Sequence, residues 1–213
     1  MAERKIQSRL RYFLAFLIGT IIFIDIFVIA YSLSYGEFRR ISNVQEELSY
    51  EIFRNKLRYS LFEEDICSAD LQKKVTEDLG YQGKIIDYLE RKLGKNNEEV
   101  LFSKQFYTLI ELEHFDFVRK INRECNSSIP TILFFYSNGG GEVEESEDLG
   151  NLLASVYNRN PEVIIYSFDI NLKSDLIEDL KKKYYIQEPL TIVINEKTKM
   201  VKPISISEVE KNL

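Results

Sequence analysis

Residues 131–203 restrict the possible folds more than any other part of the chain. Thr131-Ile132-Leu133-Phe134-Phe135-Tyr136 is apolar without alternation, as expected of a strand covered on both faces. It breaks at Ser137-Asn138-Gly139-Gly140-Gly141. Residues 144–157 then place Leu149, Leu152, Leu153 and Val156 at helical spacing. A strand over Val163–Phe168, a helix over Leu172–Tyr185 and a strand over Pro189–Ile194 follow. A turn at Asn195–Lys197 leads into a strand over Met200–Ile204. Ser205 and Glu208 give a Ser-x-x-Glu start to a last helix ending at Leu213. A βαβ unit followed by a hairpin and a helix predicts an α/β domain, with helices flanking a mixed sheet.

A different constraint governs the N-terminus. Tyr12–Tyr35 is an apolar run with a single charge, Asp25. About 20 apolar residues in a helix cross the ~30 Å hydrocarbon core of a bilayer. The run predicts one transmembrane helix in contact with lipid, with Tyr12, Tyr31 and Tyr35 at the interfaces. Arg4, Lys5, Arg9 and Arg11 precede it, whereas only Arg39 and Arg40 follow closely. That bias predicts a cytoplasmic N-terminus and an extracytoplasmic remainder. A cleaved signal peptide competes, with Val28 and Ala30 ahead of Tyr31 suiting a processing site. The length of the run and its polar centre favour a retained signal-anchor. Asp25 at mid-span costs on the order of 3 kcal/mol. It reads either as an intramembrane contact, to a partner helix or a second copy, or as a protonated and tolerated side chain.

The chain divides accordingly into 1–11, 12–35, a helical region over 36–128, and 129–213. Within 36–128, Ile41, Val44, Leu48, Ile52 and Leu57 suggest an amphipathic helix. Ser68 begins a short helix carrying Leu71, Val75 and Leu79 and stopping at Gly80. Another carries Ile85, Ile86, Leu89 and Leu93 and stops at Gly94. Asn96-Asn97 caps a longer helix, with Glu98 and Glu99 in its first turn. Phe102, Phe106, Ile110, Phe117, Ile121 and Cys125 lie near one face of it.

Candidate chemistry is sparse. The chain has two cysteines, Cys67 and Cys125, and one histidine, His114. Two cysteines exclude a cysteine zinc cluster within one chain. An outside location permits a Cys67–Cys125 disulfide, stabilising by roughly 3–4 kcal/mol through loop closure. The other readings are two separate buried thiols, or a redox pair. Cys125 near a helix C-terminus is poorly placed to ionise, which disfavours the redox pair. Glu111 and His114 form one Glu-x-x-His step, and a di-iron bundle needs two. The expectation is a solvated acidic face shared with Glu113 and Asp116. Asn126-Ser127-Ser128 is a glycosylation acceptor pattern if it lies outside. The net charge of −6 and the absence of a basic, aromatic patch after residue 60 argue against nucleic acid.

From Ile129 onward the chain resembles the thioredoxin superfamily. The resemblance is carried by Leu133-Phe134-Phe135-Tyr136-Ser137, by Asp169-Ile170-Asn171, and by Tyr185-Ile186-Gln187-Glu188-Pro189-Leu190-Thr191-Ile192-Val193-Ile194. It implies a cis proline facing the active site at Pro189, with Leu190 between it and Thr191. It also implies a Cys-x-x-Cys at the helix start after the first strand. There the chain has Asn138-Gly139-Gly140-Gly141-Glu142-Val143, and no thiol lies between Cys125 and Leu213. Dithiol exchange needs a thiolate at that helix start and a second thiol to resolve the mixed disulfide. Neither is present. Phosphate cradling by the glycines is opposed by Glu142, Glu144, Glu145, Glu147 and Asp148, and no Gly-Lys-Ser/Thr follows. The acids lack calcium-loop spacing, so no metal or cofactor is assigned. They read either as dipole-compatible residues on a solvated turn or as a loop that binds a partner's basic segment or a cation.

The expectation is therefore a membrane-anchored, redox-inactive thioredoxin-like protein that binds or scaffolds another protein. Its groove would lie between Asn138–Glu142 and Pro189. The alternative is an oxidoreductase, or an accessory to one, using Cys67 and Cys125.

Overall fold

A computed structural model of the chain describes residues 2–61 and 66–213. Two compact units are present, Met1–Glu46 and Glu47–Leu213. The division falls inside helix α1, Ala2–Leu61. By length and composition this helix holds a stretch able to cross a membrane, and none of that stretch is buried. Phe16, Phe23 and Phe27 are 65–70% exposed. Gly36 does not interrupt the helix.

Helix α2 runs unbroken over Ala69–Leu93, where two short helices separated at Gly80 were expected. Glycine in a helix interior costs about 1 kcal/mol relative to alanine. Burial of Val75, Leu79, Ile86 and Leu89 along one face outweighs that cost. Gly83 also has a packing role: a Cβ there would come within 2.8 Å of the Tyr107 hydroxyl. The helix stops at Gly94, at φ 92°. Asn97 caps α3, Glu98–Glu124, accepting from the Glu99 and Val100 amides as its sequence position indicates. Cys67 and Cys125 form a disulfide with Cα atoms 5.4 Å apart. It joins the chain just ahead of α2 to the end of α3, beside the apolar cluster of Ile66, Val75, Phe117 and Ile121.

The remaining elements are β1 Thr131–Tyr136, α4 Val143–Arg159, β2 Ile164–Asp169, α5 Asp175–Lys183, β3 Thr191–Ile194, β4 Thr198–Val201 and α6 Ile206–Glu210. They form a mixed four-stranded sheet in the order β2-β1-β3-β4. β1 and β2 are parallel; β3 pairs antiparallel with both β1 and β4. One face, through Ile132, Phe134, Ile192 and Ile194, packs on Leu149, Leu153 and Val156 of α4 and Val209 of α6. On β2, the Tyr166 ring meets His114 and Phe115 of α3. Continuous apolar composition in β1 and β3 is thus explained by cover on both faces.

Two boundaries move inward for local reasons. Asn171 donates its backbone N–H to the Asp169 carboxylate, which turns the chain before α5 begins. Leu190 adopts φ 60°, so β3 begins after it and not at Pro189. Among the described residues no peptide bond is cis, so Pro189 is trans, unlike the cis proline implied by the resemblance.

A candidate functional site at the ends of the parallel strands

The carboxyl ends of β1 and β2 lie side by side, with Tyr136 opposite Asp169. In open α/β sheets this end of parallel strands is where ligand crevices form. Ser137 and Asn138, immediately after β1, are both buried. The Ser137 amide donates to Ser146 Oγ of α4, and that hydroxyl donates back to the Ser137 carbonyl. The first turn of α4 is therefore tied to the strand that feeds it. Ser137 Oγ accepts from the Gly139 amide at 3.1 Å and from Asn171 Nδ2 at 2.7 Å. A Cβ on Gly139 would sit 3.0 Å from Asn171 Nδ2, and Gly140 has φ 64°. Gly141 is open on its side-chain side and exposed.

The charged centre of this end is Asp169. It accepts from Lys104 Nζ at 2.8 Å, from Asn138 Nδ2 at 3.0 Å and from the Asn171 amide at 3.0 Å. Lys104 enters from α3 and also approaches Glu90 Oε1 of α2 at 3.0 Å, an ion pair without hydrogen-bond alignment. Its ammonium lies 5.1 Å from the centre of the Tyr136 ring. Burial alone would lower the Lys104 pKa. Tyr136, Asp169 and Glu90 outweigh it, and the group is held above its ordinary value. Burial pushes the Tyr136 hydroxyl up, so it stays neutral.

Lys104 is the first of a polar row along α3. Tyr107, Glu111 and His114 follow at helical spacing, and the row runs antiparallel to β2. Lys104 meets Asp169, Glu111 Oε1 accepts the Ser167 amide at 2.8 Å, and His114 Nδ1 lies 2.8 Å from the Tyr166 hydroxyl. The other His114 nitrogen lies 3.2 Å from Thr76 Oγ1 of α2. Glu111 and His114 are 1% and 2% exposed, which corrects the solvated face expected for them. Their helix lies against the sheet, so the acid and imidazole meet strand groups instead of water. Burial raises the Glu111 pKa to about 8, opposed by the Ser167 bond and by Lys104. Burial lowers His114 to about 4. Both side chains are thus uncharged near neutrality. Among the described residues no group of three or more His, Cys, Asp or Glu side chains is arranged to hold a metal ion.

The rim is charged differently. Lys202 pairs with Glu145 at 3.0 Å, and Lys95 with Glu147 at 2.6 Å. The Glu145 bond chiefly raises the Lys202 pKa, with further pull from Glu188 and Glu142. One cation therefore senses both the Glu142 end of the loop and the Glu188-Pro189 turn. Pro189 is half-buried, and pairing of Phe135 with Thr191 brings its turn to the same end of the sheet as the glycine loop. Asn138, Gly139, Gly140, Gly141, Glu142 and Pro189 thus gather at one end. Asp25 is on α1, exposed, with no side-chain partner among the described residues. Cys67 and Cys125 are elsewhere. Cys125 follows Lys104 by 21 positions along α3, a rise of about 30 Å at 1.5 Å per residue. It packs, as Ile129 ahead of β1 does, against the cluster of Ile66, Val75, Phe117 and Ile121.

Among the described residues Ser137 Oγ has the Gly139 amide and Asn171 Nδ2 as hydrogen-bond partners and no base beside it, and the only histidine in the sequence is engaged with Tyr166 and Thr76. The arrangement fixes a loop, because Asp169 ties Lys104, Asn138 and Asn171 together. Sequence reasoning singled out the loop but missed Lys104, Glu90 and Tyr136. The signal for the row was the recurrence of Lys104, Tyr107, Glu111 and His114 at steps of three and four within an otherwise apolar stripe. Compared with protein-family models, with curated proteins and with solved structures, the chain finds no match in any of the three.

Proposed function

We propose that this protein is a membrane-anchored, redox-inactive binding or scaffolding protein with a thioredoxin-like domain held outside the cytoplasm. The frame is supported by the strand order β2-β1-β3-β4, with a parallel βαβ unit followed by an antiparallel hairpin and a final helix. The anchor is supported by the exposed apolar stretch of α1 and by the excess of Arg and Lys ahead of it. The Cys67–Cys125 disulfide suits an oxidising compartment.

One observation carries the reading. The only two thiols in the chain are bonded to each other at the opposite end of the domain from the Asn138–Glu142 loop. The loop is instead braced by neutral amides and an ion pair. Such a frame holds a partner segment without reacting with it. An extended segment of another protein would lie between the loop and the Glu188-Pro189 turn.

The test uses the full-length chain in lipid nanodiscs. It should show no thiol-dependent reduction of insulin, and both cysteines should resist alkylation until a reductant is added. Turnover that disappears in Cys125→Ser would sink the reading in favour of an oxidoreductase built on the exposed Cys67 and its partner. Protease added to sealed native vesicles should fail to reach residues 36–213 from the cytoplasmic side.

A further inference from the structure

The order β2-β1-β3-β4 leaves two strand edges, and the β2 edge is not simply exposed. The amides of Ile164 and Ile170 donate to the carbonyls of Pro130 and Tyr136. Alternate residues of a strand face the same neighbour. Ile164, Tyr166 and Phe168 therefore turn their backbone groups toward β1, while Ile165 and Ser167 turn theirs away. Glu111 takes the Ser167 N–H. The Ile165 N–H and C=O and the Ser167 C=O have no partner among the described residues.

These groups face a walled space. Ile165 and Ser167 line a cavity of about 390 Å³ that also has Gly80 of α2 on one side and Gly150 of α4 on the other. A second concavity of about 710 Å³ continues along the same edge past Ile164, Pro161 and Tyr157. A volume of several hundred Å³ is typical of a binding cleft. Gly80 and Gly150 both sit inside helices, and a Cβ on either would meet nothing within 4 Å. Unlike Gly83, neither is glycine because a neighbour crowds it. Both walls are thinned to backbone where they flank an unpaired strand edge.

We propose that the β2 edge is a docking slot for one extended segment of a partner protein. The segment adds to the sheet through Ile165 and Ser167 and sets alternate apolar side chains against Phe134, Leu153 and Val163. A neighbouring strand lies about 4.8 Å away and supplies a donor and an acceptor at every second residue, enough to pair the Ile165 N–H and C=O and the Ser167 C=O. A small apolar molecule would fill the cavity but leave those groups unpaired, at a cost. A second copy of this chain would have to bring its own β2 edge, lined by the same α2 and α4 residues, into this space, whereas a single extended segment brings only its own backbone. The mouth carries Lys73, Lys84, Glu77 and Glu162, so charge balance favours a neutral segment. Glu111 closes the slot at Ser167, which separates it from the glycine-loop end.

The experiment pans a phage-displayed library of random heptapeptides against the full-length chain in nanodiscs. Selected peptides should alternate apolar and polar residues. Each should slow amide exchange at Ile165 and leave Val201 of β4 and Gly140 unchanged. Gly150→Leu and Gly80→Leu, which fill the slot from opposite walls, should each weaken binding at least tenfold with an unchanged far-ultraviolet spectrum. Should either leucine variant fail to fold, Gly150→Ala and Gly80→Ala should still weaken binding severalfold. The proposal is overturned if no alternating peptide emerges, if the filled variants bind as well as the native chain, or if protection appears at β4 or at the glycine loop instead.

Discussion

The row along α3 and the rim of α4 contain the same kinds of side chain in opposite circumstances. Glu111 is buried against β2, and its pKa is driven up to about 8. Glu147, exposed on the first turns of α4, has its pKa lowered by the hydrogen bond from Lys95. In the row each partner is fixed by packing, and removing one leaves another stranded. On the rim water replaces whatever is lost. The comparison teaches that ion-pair distance alone does not rank these contacts. Lys95–Glu147 at 2.6 Å is shorter than Lys104–Asp169 at 2.8 Å, yet only the second is withdrawn from solvent.

The largest test of that contrast is Lys104→Met. It leaves the Asp169 and Glu90 carboxylates without their cation in a buried setting. Breaking one partner of a buried pair costs about 3–5 kcal/mol, read as a lowered denaturation midpoint of the full-length chain. Adding Asp169→Asn should recover part of the loss. If Lys104→Met is as stable as the native chain, the row does not hold the strand ends together.

Next comes pH. The Glu111 pKa is raised in the folded state, so its contribution is fully present below about 4.5 and is lost as pH rises toward about 8. His114 is depressed to about 4, so its contribution is present above about 6.5 and is lost as pH falls toward 4. Glu111→Gln keeps an acceptor for the Ser167 amide and should flatten the alkaline limb by a few kcal/mol, leaving the acid limb in place. An unchanged alkaline limb would mean that Glu111 is already ionised near neutrality.

Glycines sharpen the picture within a single helix. Gly83→Ala drives a methyl against the Tyr107 hydroxyl and should destabilise by about 1–2 kcal/mol. Gly80→Ala, three positions away, meets open space and should stabilise by up to about 1 kcal/mol. Thermal melts of the two variants should move in opposite directions. The smallest effect belongs to the rim: Lys95→Ala should leave the melting temperature unchanged, since both partners are open to water.

Much of the frame was legible in the residues. The unbroken apolar run of β1, the glycine break after it and the Ser205 start of α6 all mark local backbone preferences. The disulfide candidates were identifiable because the chain has only two thiols. Gly80 misled, because a glycine inside a helix signals a stop only when packing does not compensate for it. The loop of the candidate site was visible at Asn138–Glu142, but its brace was not.

What the sequence determined by itself is the order of elements from β1 onward, the apolar stretch of α1 and the absence of a thiol at the glycine loop. These follow from composition and from contacts between residues near one another in the chain. Tertiary structure alone decided that Lys104, Glu111 and His114 face inward. Helical periodicity says which residues share a face and not what that face meets. The partner of Lys104 is 65 positions away on β2, and only the packing of α3 on the sheet brings the two together and excludes the water that would otherwise separate them.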